Sequence, residues 1–132
     1  MDSTQVVRES YDRCCASGDF AGSFYKIFFT KSPEIPKLFA ETDFTQQKRH
    51  FRAAVLLLIK YAPDDAPTRN ALEKIGRTHS RGEYNIRPDL YAFFLESVCE
   101  AIKKHDPQWT EDLENAWKER VSGGVELVIS MY

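Results

Sequence analysis

Apolar residues recur along the chain at three- and four-residue intervals, a pattern that predicts helices almost from end to end. Val6, Val7, Tyr11 and Cys14 or Cys15 define a first amphipathic helix, interrupted by Ser17, Gly18 and Asp19. Phe20, Phe24, Ile27 and Phe28 define a second, ending near Thr30. Ser32 before Pro33 and Glu34 reads as a cap, a first-turn proline and a first-turn acid, so a short helix follows towards Leu38 and Phe39. Asp43, with Gln46 three residues on, resembles a capping box that opens a long helix to about Tyr61, striped by Phe51, Val55 and Leu58. Pro63, Asp64, Asp65 and Pro67 are expected to close it. Leu72, Ile75 and His79 share one face of the next helix; Gly82 stands where a helix commonly stops, and Asn85 to Pro88 read as a turn. Leu90 to about Lys103 presents Phe94, Val98 and Ala101 on one side, and His105, Asp106 and Pro107 break the chain. Thr110, Glu111 and Asp112 start the last helix, which runs through Trp117, Val121, Val125 and Val128. Strand signals are nearly absent. The expected class is all-α, with six or seven helices in a single domain over residues 1–132.

Composition narrows the function. With 42% apolar and 29% charged residues, the chain has the make-up of an ordinary globular domain, which excludes disorder. A net charge of −2, with cations scattered among acids, lacks the basic stripe that nucleic-acid binding requires. Cys14, Cys15 and Cys99 are an odd number, and the adjacent pair suits neither a disulfide framework nor a zinc site, so a reducing cytoplasmic setting is expected. MDSTQVVRES carries no export or import signal. The apolar run from Ala53 to Ile59 falls well short of the roughly 20 residues that cross a bilayer. Neither nucleic acid nor membrane is an expected partner. His105, between Lys104 and Asp106, reads as an exposed loop residue, and Trp109 and Trp117 as packing or surface anchors. Gly123 and Gly124 each cost a helix interior about 1 kcal/mol against alanine, which points to a close backbone approach there, to another helix or to a flat ligand.

Polar groups on apolar faces carry the candidate chemistry, because a buried polar atom must find a partner. His79 is one, at a helix end beside a bend. Gln47 lies four residues before Phe51 and eight before Val55, and Tyr25 follows Phe24 on the aromatic second helix. Each has a plainer alternative: a satisfied core histidine, a helix-flank glutamine, a tyrosine with its hydroxyl at the surface. Together, three inward polar groups on three helices suggest a pocket. HExxH, CxxC, a phosphate-cradling glycine loop and GxSxG are all missing, so the zinc, nucleotide and hydrolase templates fail.

The stretches FYKIFFTKSPEIPKLF (Phe24 to Phe39), FTQQKRHF (Phe44 to Phe51), EKIGRTH (Glu73 to His79) and IRPDLY (Ile86 to Tyr91) resemble bacterial single-domain haemoglobins and the globin domain of flavohaemoglobins. The resemblance implies a globin fold, three helices packed over three, with haem b between the helix of Gln47 and the helix of His79. It implies His79 as the iron ligand, Tyr25 and Gln47 as the pair on the opposite side, Phe39 wedged against the porphyrin and Phe51 as an apolar residue one turn beyond Gln47. Ile86 and Phe94 complete the expected haem contacts, and His50 or Arg81 is expected to meet the propionates. Tyr91 matches a family tyrosine near the iron ligand, and would join Tyr25 and Gln47 in the chemistry. The glutamate that partners that tyrosine in the family is missing: the same register counted from Trp117 reaches Tyr132, and Glu126 lies about 100° round the helix from the Val121, Val125 and Val128 face. One extra residue between His79 and Tyr91 implies a longer loop at Arg81 to Glu83.

The implied function is reversible binding of dioxygen, with carbon monoxide and nitric oxide as further ligands. Nitric oxide dioxygenation to nitrate is also implied, with a separate reductase because no flavin or nicotinamide domain follows Tyr132. A gas sensor or signalling globin and a simple oxygen carrier are the alternatives. A haem-free interaction module would leave His79 unexplained.

Overall fold

The computed structural model describes residues 2–132, and among these every regular element is a helix. The seven are α1 (Ser3–Ala16), α2 (Phe20–Phe28), α3 (Glu34–Leu38), α4 (Phe44–Lys60), α5 (Ala66–His79), α6 (Leu90–His105) and α7 (Glu111–Ser130). Helices α1, α4 and α5 form one layer and α2, α6 and α7 the other; α7 meets α1, α4 and α5 across the interface, and α2 packs chiefly against α6. Side-chain oxygens of Asp2, Asp19, Asp43, Asp65 and Thr110 accept the orphan N–H groups at the starts of α1, α2, α4, α5 and α7.

Three boundaries differ from the sequence pattern, each for a local reason. Pro67 does not end α4; it sits in the first turn of α5, where its missing N–H has no consequence, and Asp65 caps that turn. Pro33, not Ser32, is the N-cap of α3, although the Ser32 hydroxyl still accepts the Glu34 N–H at 3.3 Å. Helix α5 stops before Gly82: Ser80 turns extended, and the left-handed residue of the loop is Asn85, at φ 52°.

The core runs between the layers through Val7, Phe20, Phe24, Ile35, Ile59, Leu72, Ile102 and Trp117, all essentially inaccessible to water. Of the two readings of the glycine pair, helix approach is correct for Gly124: a Cβ there would fall 2.7 Å from Leu58 Cδ2 and 3.3 Å from Leu72 Cδ1. A Cβ at Gly123 would instead meet the Tyr61 ring, at an ordinary contact distance of 3.7 Å.

Two features behind the α6–α7 corner escape the pattern. His105 is not an exposed loop residue: it ends α6 half-buried, with Nδ1 2.7 Å from the Ser17 hydroxyl and Nε2 2.7 Å from the Ser23 hydroxyl. Its ring also meets Phe20 edge-on at 5.9 Å. Asp106, 3% exposed, is the centre of a buried network. It accepts from Ser10 Oγ at 2.6 Å and from Arg13 at 2.8 and 2.9 Å, while Trp117 Nε1 donates to Ser10 Oγ at 2.9 Å. Burial pushes the Asp106 carboxyl up, but the bonds from Arg13, Ser10 and the Gln108 N–H outweigh it and hold the group below the ordinary carboxylate range.

A carboxylate depressed in this way stabilises the fold above its unfolded pKa, about 3.9, and ceases to as pH falls through the lower folded value. Asp106→Asn should therefore cost about 3 kcal/mol at neutral pH, the low end for breaking a buried charge pair. The gap from the wild type should close as pH drops below about 4, measured by urea unfolding at a series of pH values; a constant gap would exclude the carboxylate charge as its source.

Candidate functional site

His79 is the last residue of α5, and its ring is half-buried. Nδ1 lies 2.8 Å from the carbonyl oxygen of Ile75, one turn back, and 3.2 Å from the Thr78 hydroxyl, which itself donates to the same carbonyl at 2.9 Å. A carbonyl can only accept, so Nδ1 carries the proton and Nε2 the lone pair. No hydrogen bond reaches Nε2 among the described residues. Burial lowers the ring's pKa, opposed by the Ile75 carbonyl, so the imidazole is held neutral into more acid solution than usual. The Ile86 N–H returns to the His79 carbonyl at 2.8 Å and fixes the bend that follows.

A second polar cluster comes from α2 and α4. Tyr25 is 6% exposed, and its hydroxyl accepts a hydrogen bond from Gln47 Nε2 at 2.9 Å. Burial pushes the phenol up to about 12, with the Gln47 bond acting in the opposite direction, so the hydroxyl keeps its proton at neutral pH. Its ring sits edge-on to Phe39, Phe44 and Phe51, at 5.5, 5.5 and 5.7 Å, and tilted to Phe29 at 5.9 Å. Phe51 in turn stacks on Phe24 at 4.2 Å and approaches Phe94 at 6.4 Å. Tyr25, Gln47, Phe39, Phe51 and Phe94, far apart in sequence, are thus one aromatic wall around one hydroxyl. Phe29 and Phe44 belong to it as well. Sequence reasoning passed over both, although Phe44 stands one helical turn before Gln47.

Other expected residues are less engaged. Ile86 is half-buried on the loop beyond His79. His50 lies exposed on α4, and Arg81 sits with its guanidinium 4.9 Å from the centre of the Tyr132 ring. Tyr91 is half-buried, its phenol pushed up to about 12 by burial, and no hydrogen bond to its hydroxyl occurs among the described residues. Tyr132, which the register count from Trp117 reaches in place of the expected glutamate, donates to Asn85 Oδ1 at 2.6 Å. Glu126 is exposed.

The globin family model matches residues 22–123. The chain is a globin. A crystal structure of the protein PA3967 from Pseudomonas aeruginosa PAO1, described as structurally highly homologous to a human haemoglobin, superimposes on this globin with a TM-score of 0.94. The two are 35% identical, over 99% of this chain and 98% of the other. No curated protein matches it.

Globins generally hold haem and bind gases such as dioxygen, and the residues present fit that group. Among the described residues no three His, Cys, Asp or Glu side chains gather as a metal site. A single histidine with its Nε2 lone pair uncommitted suits a metal whose other ligands come from a macrocycle. The Tyr25 cluster is aromatic, with one protonated hydroxyl and one amide, which suits a flat apolar ring and a small polar ligand.

Gln47→Leu removes the hydrogen bond that the amide donates to the Tyr25 oxygen and should push the phenol further up. Carbon NMR of the labelled tyrosine ring through an alkaline titration would show it; an unchanged midpoint would mean the Gln47 amide does not bear on the phenol.

Proposed function

We propose that this globin binds haem b through His79 and takes up dioxygen reversibly, with Tyr25 as the principal hydrogen-bond donor to the gas. We further propose that residues 1–132 act as one globin domain in the cytoplasm, and that a separate reductase sustains conversion of nitric oxide to nitrate. The carrying observation is the Gln47 to Tyr25 bond of 2.9 Å. Because the glutamine amide donates to the phenol oxygen, the phenol's own proton stays free for a second acceptor. Gln47 thus orients Tyr25 first and donates to a ligand second.

His79 would hold haem, which would supply an iron able to take a diatomic gas and exchange one electron. His79 contributes a neutral ring fixed in one tautomer by the Ile75 carbonyl. A carbonyl gives the ring little anionic character, which supports reversible binding of the gas. Phe39, Phe51, Phe94 and Ile86 would bury the porphyrin faces, and His50 or Arg81 would meet its carboxylates. The cysteines support a non-covalent haem b: Cys14 and Cys99 are buried on α1 and α6, and no CxxCH attachment sequence exists. For nitric oxide, dioxygen and nitric oxide combine to nitrate, and one electron must return to the protein from outside for each cycle.

His79→Gly should lose stable haem and regain its absorption spectrum with added imidazole; an unaltered spectrum without imidazole would place the ligand elsewhere.

Dioxygen gains negative charge on its outer atom when bound, whereas carbon monoxide gains little. Tyr25→Phe should therefore speed oxygen release about ten- to a hundredfold, equivalent to about 1.4 to 3 kcal/mol for a bond to a charged acceptor, and change carbon monoxide release far less. Equal acceleration of both gases would make Tyr25 a steric gate.

Stopped-flow mixing of the oxygenated protein with nitric oxide should give one fast turnover, nitrate and the oxidised protein, with further cycles only on adding an electron donor. A slow first turnover would favour a sensor or a simple oxygen carrier.

A further inference from the structure

Helix α3 is five residues long, has no side-chain cap and runs beside no other helix for any length. One side chain, Ile35, anchors it in the core, fully buried. Yet α3 delivers Phe39, whose ring centre lies 5.5 to 6.4 Å from those of Tyr25, Phe28, Phe29 and Phe44. Among the described residues, a single polar tie joins the segment from Glu34 to Thr42 to a distant part of the chain. It runs from the Glu34 carboxylate to the Arg87 guanidinium, both on the exposed surface.

The tie is two-pronged. Arg87 Nη1 donates to Glu34 Oε1 at 3.1 Å and Nη2 donates to Oε2, a fork-to-fork geometry that fixes direction as well as charge. Asp89, the N-cap of α6, accepts from the same guanidinium, from Nε at 3.1 Å and from Nη2 at 3.2 Å. Only two residues from Arg87, it presets the fork without spanning any gap. Arg87 in turn follows Ile86, whose N–H is bonded to the His79 carbonyl. The two ends of the tie are unequally secured. The His79 loop is also fastened by the Tyr84 N–H to the Thr78 carbonyl at 3.1 Å and by the Tyr132 hydroxyl to Asn85 at 2.6 Å. The α3 segment has Glu34 alone, so when the tie parts it is α3 that is free to move.

We propose that the Glu34–Arg87 pair is a clasp between the Phe39 segment and the His79 loop, and that α3 is its moving jaw. Release of Glu34 lets the Phe39 segment swing aside for haem to enter or leave, while the His79 loop keeps its place. The proposal rests on the haem-globin reading. Glu34 and Arg87 are positioning residues, acting through Phe39 and the loop and touching neither iron nor gas.

In the haem-free protein, Glu34→Gln should speed hydrogen exchange of the Phe39 and Ala40 amides and leave unchanged that of Ile86 and of Val121, within α7. In the haem-loaded protein, Glu34→Gln and Arg87→Met should each raise the rate of haem transfer to excess apomyoglobin by up to about fivefold, the upper end for an exposed ion pair. The double variant should be no faster than the faster single one, since each change breaks the same tie. Arg87→Lys, which keeps the charge and loses the fork, should fall between Arg87→Met and the wild type. Moderate salt should speed transfer from the wild type and leave the double variant unchanged. The iron–histidine stretching band in the Raman spectrum of the reduced protein should stay in place in Glu34→Gln, and a shifted band would overturn α3 as the moving jaw. Additive effects in the double variant, unchanged transfer in both single variants, or exchange that quickens at Val121 as much as at Phe39 would overturn the clasp. Failure of the wild-type chain to take up haem would overturn the underlying reading instead, and hydrogen exchange would still judge the tie.

Discussion

A neutral imidazole has one N–H and one lone pair, and the Ile75 carbonyl takes the N–H of His79. That single bond, 2.8 Å long, decides the tautomer, aims Nε2 away from its own helix and makes the ring a usable ligand. It depends on α5 being helical up to His79, since a carbonyl four residues back is within reach only across one turn. It also depends on the chain leaving that helix abruptly, which Ser80 does by turning extended. The Ile86 N–H and the Asn85 to Tyr132 contact then hold the departing loop. Much of the C-terminal third of the molecule is thus arranged around the end of α5, with Met131 seated so close to Gly76 that a Cβ would fall 2.7 Å from it.

The Tyr25 cluster follows a different logic. There a hydroxyl must be buried among rings without losing its proton or its freedom to donate. Burial keeps the Tyr25 phenol protonated, and an amide occupies its acceptor side. An aromatic cage is suited to this, because ring edges and faces surround the hydroxyl without offering a competing strong acceptor. His79 thus presents a lone pair, and the Tyr25 cluster a proton.

The fold was legible because helical periodicity is a local signal, and Asp43 and Thr110 mark helix starts in the sequence as well as in space. Tyr25, Gln47 and His79 were legible as polar interruptions of apolar faces. What escaped was the set of contacts that depends on tertiary meetings. Asp106 reads as a helix-breaking loop acid until Arg13, 93 residues away, is brought beside it. His105 reads as exposed until the α1–α2 corner supplies Ser17 and Ser23. Phe44 looks like the first residue of a helix, and only the approach of α2 makes it part of the Tyr25 cage. Tyr132, reached by register, gives no hint of Asn85, because that partner lies on a loop whose course the sequence leaves open.

The Asp106 network has a bearing on how the molecule folds and comes apart. Its bonds to Ser10 and Arg13 close loops of 96 and 93 residues, and Trp117 to Ser10 one of 107, nearly the whole chain. Loop-closure entropy makes such contacts expensive to form before the intervening helices have assembled. Locally driven helices form early, and a clasp of this span closes late. Stabilisation that arrives after the transition state acts on the unfolding rate and leaves the folding rate nearly untouched. A buried carboxylate at the α6–α7 corner would then serve chiefly as a lock on persistence: it gives the folded globin a long lifetime without slowing its formation, and the unfolding arm of a denaturant chevron is where its loss would be seen.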